Sequence, residues 1–392
     1  MYSGDESRLW VHRTNNIRRN EGGDITRMNI VFVTHLDGNK AAGLSYSIPA
    51  QIQAISKIAR VLWFNDAKYK HNSWEHSGVF LSSHDISGLD IEDFPSPFNR
   101  PDIVVFQSFY SLSDYRLSRY LVKNDIPYVI IPRGALTKGA QRKKKLKKTV
   151  ANLLLFKRFA SDAAAIQYLT QQEYLDSGNA WNFNKLVIPN GIEGKSDVKV
   201  WRERKGLNGV FVGRLDIFHK GLDLLIEACR ANRTLMIERV CTIDIYGPPS
   251  EQSGKIQGLI RDAELEGILS LRGPVYDENK VNVLLGSDFF ILPSRFEGHP
   301  MGLLEALSYG IPCLITTGTN MAQEISEANA GWVADTTSKS LANAMNRLLT
   351  AEHEDFKEKG KKAVALSKQY EWGQIAKQTV QAFEQIVGSR AK

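Results

Sequence analysis

The sequence predicts an α/β protein made of two doubly wound domains, each a parallel sheet with helices on both faces. From Met28 onward, short apolar runs alternate with segments in which apolar residues recur at helical spacing. The chain has 392 residues, of which 43% are apolar, and this is enough to fill two hydrophobic cores. Near the middle, Pro189, Asn190 and Gly191 form a turn before a short polar segment, where we expect the interdomain linker.

The first domain is predicted to span residues 28–192. The 27 residues before it are polar and without a steady period, which fits an N-terminal extension, an upstream start or a disordered arm. Met28 then opens MNIVFVTHL, a buried first strand, and Ile48, Ile52, Ile55 and Ala59 recur at helical spacing. Six strands are expected in this domain, at 28–34, 60–64, 102–107, 128–131, 164–168 and 186–188.

The second domain is predicted to span residues 205–368 and to repeat the architecture. Five strands are expected in it, at 209–212, 242–246, 270–272, 288–292 and 313–316. Glu297 would lie in the loop at the carboxyl end of the fourth of these strands. Glu305, eight residues later, would lie about one turn into the next helix.

Ligands of doubly wound sheets bind at the carboxyl ends of strands, and a helix start there favours phosphate. A carboxylate beside it can accept hydrogen bonds from sugar or ribose hydroxyls, although a Glu in this place is also ordinary helix-dipole chemistry. The loop after the strand at 209–212 carries Arg214 and Lys220. Arg offers a bidentate fork to phosphate oxygens and Lys a point charge, so both suit a diphosphate whose charge develops during a reaction.

These segments resemble a known enzyme family. PSRFEGHPMGLLEALSYGIP, which contains Glu297 and Glu305, resembles the donor-site motif of the retaining GT-B glycosyltransferases of family 4, or glycosyl transferases group 1. FVGRLDIFHKGLDLLIEA, with Arg214 and Lys220, resembles the first motif of the same domain. The resemblance implies two Rossmann-like domains facing across a cleft, with a C-terminal helix in residues 369–392 that crosses back to the first domain.

The resemblance also implies a reaction and a set of roles. A hexose would move, with retention, from a nucleotide diphosphate sugar to a hydroxyl of a glycan or lipid-linked saccharide, in bacterial polysaccharide biosynthesis. Arg214, Lys220 and Glu297 would be catalytic, the cations on the diphosphate and Glu297 on the transferred sugar. Glu305 would bind the ribose hydroxyls, and the donor site would also contain Gly213, Gly298, His299, Pro300, Met301 and Gly302.

The acceptor side is expected in the first domain. IPYVIIPRGA resembles a segment of polysaccharide-building relatives, many of which have His where this chain has Arg133. Because Arg cannot act as a general base near neutral pH, Arg133 is predicted only to bind phosphate or carboxylate groups. Gly43, His35 and Glu173 are the other residues predicted at the acceptor or cleft. We expect His35 and His299 to be neutral hydrogen-bonding residues.

Several other classes are disfavoured. The loop after the first strand lacks G-x-G-x-x-G, which argues against a nicotinamide oxidoreductase. No His and Cys cluster or Asp-x-Asp at a strand end suggests a metal, so metal-independent chemistry without a cofactor is expected. Cys229, Cys241 and Cys313 lack paired spacing, which fits a reducing cytoplasm. No segment approaches the roughly 20 apolar residues of a membrane span.

The segment RKKKLKK, from Arg142 to Lys148, holds six cations in seven residues, and an apolar helical stretch follows it. We expect it to contact an anionic membrane surface at the inner face of the plasma membrane, or else to be a solvated helix face. A nucleic-acid partner is not expected, because no reading motif or aromatic stacking platform accompanies the cations.

Two rival functions fit the same fold. A nucleotide sugar epimerase or a phosphorylase would use a similar pocket, and a sugar-binding protein that has lost catalysis would keep its shape. A protein that has lost catalysis is expected to have lost charged residues of the site first. Arg214, Lys220, Glu297 and Glu305 are all present. This favours a glycosyltransferase.

Overall fold

The protein is described by a computed structural model that covers residues 27–38, 43–67, 69, 71, 74, 78–86, 89–142, 145–203 and 205–390. The predicted N-terminal extension lies outside these residues apart from Arg27. Two parallel sheets with helices around them form two domains, which confirms the predicted α/β fold class of two facing doubly wound domains.

The first sheet has seven parallel strands in the order β3-β2-β1-β4-β5-β6-β7. Apolar β-branched and aromatic residues dominate its central strands, which are buried on both faces as expected for a parallel sheet. The strands are β1 Asn29–Thr34, β2 Arg60–Asn65, β3 Val79–Ser82, β4 Ile103–Phe106, β5 Tyr128–Ile130, β6 Ala165–Tyr168 and β7 Lys185–Val187. All six predicted strands are present, whereas the edge strand β3 was not predicted.

Helices cover both faces of this sheet. Ser111 caps α2 and Thr170 caps α6, each accepting a backbone N–H of the first turn with its side chain. A π-helix, Asn152–Phe156, joins α4 to α5 without a break. The helices are α1 Leu44–Ser56, α2 Leu112–Lys123, α3 Lys138–Arg142, α4 Lys145–Ala151, α5 Lys157–Ser161 and α6 Gln171–Ser177.

The second sheet has six parallel strands in the order β10-β9-β8-β11-β12-β13. The five predicted strands are present, and the edge strand β13 was not predicted. Its first residue, Gly331, leaves no room for a side chain, since a Cβ there would lie 2.0 Å from the Cys313 carbonyl oxygen. The strands are β8 Leu207–Val212, β9 Cys241–Tyr246, β10 Leu269–Arg272, β11 Phe289–Leu292, β12 Cys313–Thr316 and β13 Gly331–Ala334.

Nine helices of the described chain follow β8. Their apolar faces pack on the second sheet around a single core, except for α15. They are α7 Leu222–Ala231, α8 Arg233–Glu238, α9 Ser253–Asp262, α10 Asp277–Gly286, α11 Met301–Ser308, α12 Ala322–Glu327, α13 Ser338–Thr350, α14 His353–Ser367 and α15 Trp372–Arg390. Within the described ranges, no helix is both long and apolar enough to span a bilayer.

The C-terminal helix returns to the first domain. Phe383 of α15 is fully buried in the core that contains Ile48 and Ile52 of α1. Where the chain crosses, Ile192 pairs with Glu371 in a parallel bridge. A Cβ at Gly191 would lie 2.4 Å from the ring of Trp372, so only glycine allows this close approach. The chain thus passes between the domains twice, once through the linker and once just before α15. These two passages fix the two sheets against each other.

Candidate functional site

A cleft of about 620 Å³ lies between the two domains. In each sheet the order of strands reverses beside the first strand of its domain, and the loops at this point open toward a ligand crevice. Twelve of the predicted site residues line the cleft: Gly43, Arg133, Gly213, Arg214, Lys220, Glu297, Gly298, His299, Pro300, Met301, Gly302 and Glu305. His35 and Glu173, both in the described part of the chain, do not line it.

Lys220 and Glu297 form a shielded ion pair. Their Nζ and Oε1 atoms are 2.7 Å apart, and the side chains are 13% and 11% exposed. The Ser294 hydroxyl donates to the same Oε1 at 2.6 Å. The backbone of Glu297 is fixed as well, because its N–H donates to the Gly318 carbonyl and the Asn320 side chain donates to its carbonyl. The loop after β8 and the loop after β11 are therefore joined by one charge pair.

Arg214 is exposed at the mouth of the cleft, where its Nη2 lies 3.4 Å from Nδ1 of His219. The other ring nitrogen, Nε2, lies 2.7 Å from the Phe296 carbonyl oxygen. Because Arg only donates and a carbonyl only accepts, His219 must be neutral with its proton on Nε2. Burial lowers the pKa of His219, which favours this state. His219 thus positions Arg214 against the loop of Glu297.

The helix α11 begins inside the cleft. Pro300 precedes it in extended conformation, and no side chain caps its first turn, which contains Met301 and Gly302. Glu305 lies one turn further and is paired with Lys280 of α10, with side chains that are 27% and 25% exposed. An anion at the helix start and a polyol beside Glu305 would both find partners here. Lys280 was not predicted from the sequence.

His299 is buried and joins the two domains. Its Nδ1 accepts the backbone N–H of Asn190 at 3.2 Å, and its ring lies 5.4 Å from that of Tyr370. Burial lowers the pKa of His299 to about 3, so the imidazole is neutral at physiological pH. It is a structural contact between linker and donor loop, and a poor general base.

Arg133 has its guanidinium in a network of polar side chains. Its Nε and Nη2 donate to Gln107 at 3.0 and 2.7 Å, and Nη2 also donates to Gln51 at 3.1 Å. Its Nη1 donates to Ser47 at 3.3 Å and to Asn190 at 3.2 Å. Burial lowers the pKa of Arg133 to about 10, which leaves it charged near neutral pH. Its side chain lines the cleft, but its N–H groups are directed at α1, at Gln107 just after β4, and at the linker.

Glu173 is buried beneath this network. Its carboxylate accepts the backbone N–H groups of Leu169, at 2.7 Å, and of Gly134. Burial raises the pKa of Glu173, while those two hydrogen bonds and the charge of Arg133 act in the opposite direction. Glu173 therefore ties the loop after β5 to the start of α6, and its predicted role at the cleft stays a prediction.

His35 lies in a separate polar cluster at the carboxyl end of the first sheet. Its Nε2 is 2.7 Å from Asp114 and its Nδ1 is 3.7 Å from Asp66. Asp114 also accepts from Ser108, and Asp66 from Ser113, both at 2.6 Å. Burial lowers the pKa of His35, but the two carboxylates outweigh it and the net shift is upward. We predicted a neutral His35, whereas the two neighbouring carboxylates favour its protonated form.

The basic segment is only partly described. Lys143 and Lys144 lie outside the described residues. Arg142 and Lys147 are exposed, whereas Lys148 donates to the Ala140 carbonyl at 2.7 Å and lies 5.0 Å from the ring centre of Tyr110. The ammonium group of Lys148 therefore makes its contacts within the protein.

Residues 200–363 match the family described as glycosyl transferases group 1. Over 142 residues, the chain is 27% identical to a putative colanic acid biosynthesis glycosyltransferase, WcaL, of Salmonella typhimurium. Over 124 residues, it is 32% identical to the amylovoran biosynthesis glycosyltransferase AmsK of Erwinia amylovora. These matches cover 34% and 29% of this chain and the same shares of the relatives, so the chain spans about a third of their length in alignment.

Solved structures resemble the whole chain. A sucrose-phosphate synthase from Thermosynechococcus elongatus superposes with a TM-score of 0.70 at 16% identity, covering 93% of this chain and 100% of that one. HepE of Anabaena, in complex with UDP and glucose, superposes with a TM-score of 0.67 at 16% identity, covering 91% and 100%. The match to glycosyl transferases group 1 lies within the second domain, and the superpositions show that the fold is GT-B.

Proposed function

We propose that this protein is a group 1 glycosyltransferase, and that it moves a hexose from a nucleotide diphosphate sugar to a hydroxyl of a glycan or lipid-linked saccharide, with retention at the anomeric carbon. The observation that carries the proposal is the convergence of Arg214, Lys220, Glu297 and Glu305 on one cleft at the strand-order reversal. The names of WcaL and AmsK refer to polysaccharide biosynthesis, and HepE holds UDP and glucose. This supports a nucleotide sugar donor and a role in bacterial polysaccharide assembly.

The geometry suggests how the donor would be held. Its diphosphate would lie between Arg214, Lys220 and the start of α11, where fixed positive groups stabilise the charge of the departing phosphate. Glu305 would accept hydrogen bonds from the ribose hydroxyls in exchange for part of its contact with Lys280. Glu297, already oriented by Ser294, would face the transferred sugar.

The acceptor hydroxyl needs a group that takes its proton. His299 is a poor candidate because its pKa is about 3 and its Nδ1 already accepts a hydrogen bond. Arg133 remains charged near neutral pH and has no lone pair to offer. We propose that an oxygen of the departing phosphate deprotonates the acceptor on the same face of the sugar.

Arg214→Ala and Glu305→Ala should each lower donor affinity or turnover by about 10-fold to 100-fold, because a hydrogen bond to a charged group contributes about 1.5 to 3 kcal/mol. Donor hydrolysis and transfer would be measured across a panel of nucleotide sugars, with thermal unfolding to show that the fold survives. Arg261→Ala and Glu251→Ala, exposed residues of the same domain, are the controls. Near-normal kinetics in both site variants would refute the donor site.

Transfer should persist in EDTA, because Arg214 and Lys220 would supply the positive charge that a divalent cation would otherwise provide to the diphosphate. The initial rate would be compared before and after dialysis against EDTA, and again after adding Mg²⁺ or Mn²⁺. Abolition of transfer by EDTA with rescue by either ion would overturn the metal-independent mechanism.

We further propose that the enzyme works in the cytoplasm at the inner face of the plasma membrane, where a lipid-linked acceptor would be presented. The support is the cationic character of the segment from Arg142 to Lys148, which suits anionic headgroups.

A further inference from the structure

One continuous helical segment of the first domain presents large apolar side chains to solvent. It comprises α4, the π-helix and α5, from Lys145 to Ser161. Four of its residues share one face because they are spaced at i, i+4, i+7 and i+8. Their exposed fractions are large: Leu146 87%, Val150 57%, Leu153 75% and Leu154 67%. We name these four residues the apolar ridge.

The ridge does not arise from a loosely attached helix. On the opposite face, Phe156 is buried, with its ring 5.0 Å from that of Tyr110 and 5.7 Å from that of Phe109. Asn152 is buried too, and its Oδ1 accepts the Tyr110 hydroxyl at 3.1 Å. The fold thus holds the leucines toward solvent, and a contiguous apolar patch of this kind marks an interaction surface.

The charges around the ridge indicate which surface it meets. Residues 138–161 contain nine Lys and Arg residues and no Asp or Glu. Lys147 is exposed beside the ridge, and the exposed Arg158 pairs with Asp162, just after this range, at 3.6 Å. The centres of protein interfaces are depleted of Lys and enriched in aromatic residues, whereas helices that lie in a membrane surface combine Leu with Lys and Arg.

We propose that the apolar ridge inserts into the acyl region of an anionic bilayer while the neighbouring cations bind the lipid headgroups. The segment is joined to the cleft through α3, because the Asn152 side chain donates to the Gln141 side chain at 3.1 Å, and Gln141 donates to the Ala135 carbonyl at 2.7 Å, two residues after Arg133. Insertion would therefore hold the acceptor side of the cleft at the membrane surface. That last consequence rests on the proposed glycosyl transfer, whereas insertion itself does not.

The first test is vesicle flotation with the triple variant Leu146→Gln, Leu153→Gln and Leu154→Gln. Gln keeps helix propensity while removing the apolar surface. Vesicles would contain phosphatidylcholine with about one quarter phosphatidylglycerol, in about 0.1 M salt. Wild type should bind about 100-fold more tightly than the triple variant. The matched control replaces Leu175, Val200 and Ile237, which are 55%, 73% and 53% exposed elsewhere, and it should bind like wild type.

A second test reports insertion directly. The three native cysteines are buried, so Leu153→Cys supplies one accessible thiol for a polarity-sensitive fluorophore. Its emission should shift to the blue with anionic vesicles and be quenched by lipids brominated in the acyl chains. Replacing Lys143, Lys144, Lys145 and Lys147 with Gln, and sparing the internally bonded Lys148, should remove the preference for anionic over neutral vesicles.

Equal vesicle binding by wild type and the triple variant would overturn the proposal. A dimer in sedimentation that the triple variant abolishes, without a fluorophore shift on vesicles, would also overturn it and assign the ridge to a second copy of this chain. Hydrolysis of a water-soluble nucleotide sugar is measured in parallel. Vesicle binding without any such hydrolysis would contradict the proposed function, but it would still support insertion of the apolar ridge.

Discussion

Lys220→Met should lower turnover by about 100-fold to 1,000-fold, the range seen when one preorganised group that stabilises transition-state charge is removed. Lys220 is only 13% exposed and lies 2.7 Å from Glu297, so its charge acts where water screens it little. Met has a similar length and no charge. Steady-state kinetics with a nucleotide sugar should show that most of the loss falls on kcat.

A product-binding measurement separates the two roles of Lys220. If Lys220 holds the diphosphate, Lys220→Met should bind the nucleoside diphosphate product more weakly than wild type; if the loss arose only because Glu297 is left unpaired, that affinity should be unchanged. Lys255→Met, an exposed position on α9, is the matched control. Activity of Lys220→Met within threefold of wild type would contradict the proposed catalytic role.

The strands that the sequence predicts include all the central strands of both sheets, together with the edge strands β7 and β10. Central strands such as β4 and β11 are fully buried and read as unbroken apolar runs. The two missed strands, β3 and β13, are four-residue edge strands with partly exposed residues. Their pairing is decided by a neighbouring strand instead of by local pattern, which sequence reasoning does not capture.

Arg214, Lys220, Glu297 and Glu305 were predictable because they lie in two short motifs that the sheet topology brings together. Their partners were not. Lys280 pairs with Glu305 from another helix, 25 residues away. His219 lies between Arg214 and Lys220 in the predicted loop, but its role depends on the Phe296 carbonyl, 77 residues away.

The buried polar network illustrates the same limit. The sequence places Arg133 at the end of a strand and predicts an anion-binding residue. Its hydrogen-bond partners Gln107, Gln51, Ser47 and Asn190 are 26 to 86 residues distant, and buried polar residues carry no periodic pattern. Whether Arg133 also meets the acceptor stays a prediction, and its strongest expected effect is on stability.

Arg133→Met should reduce the free energy of unfolding of the first domain by about 2 to 4 kcal/mol near pH 8. The Gln107 and Asn190 side-chain oxygens would each lose a donor in a buried site, and an unsatisfied buried acceptor costs about 1 to 3 kcal/mol. Arg116→Met, exposed on α2 of the same domain, is the matched control and should change little.

The pH dependence distinguishes charge from packing. Glu173 already has a raised pKa because it is buried, so its contribution to stability is fully present below its unfolded-state pKa and is lost as pH rises through its folded-state pKa. Removing Arg133 takes away a positive charge that favours the carboxylate, and the pKa of Glu173 should rise further. The destabilisation should therefore be larger at pH 8 than at pH 4.5, as measured by urea unfolding at both pH values. Equal destabilisation at the two pH values would show that Arg133 stabilises the domain through its hydrogen bonds alone. No destabilisation at either pH would contradict the structural role and favour the predicted role of Arg133 in binding the acceptor.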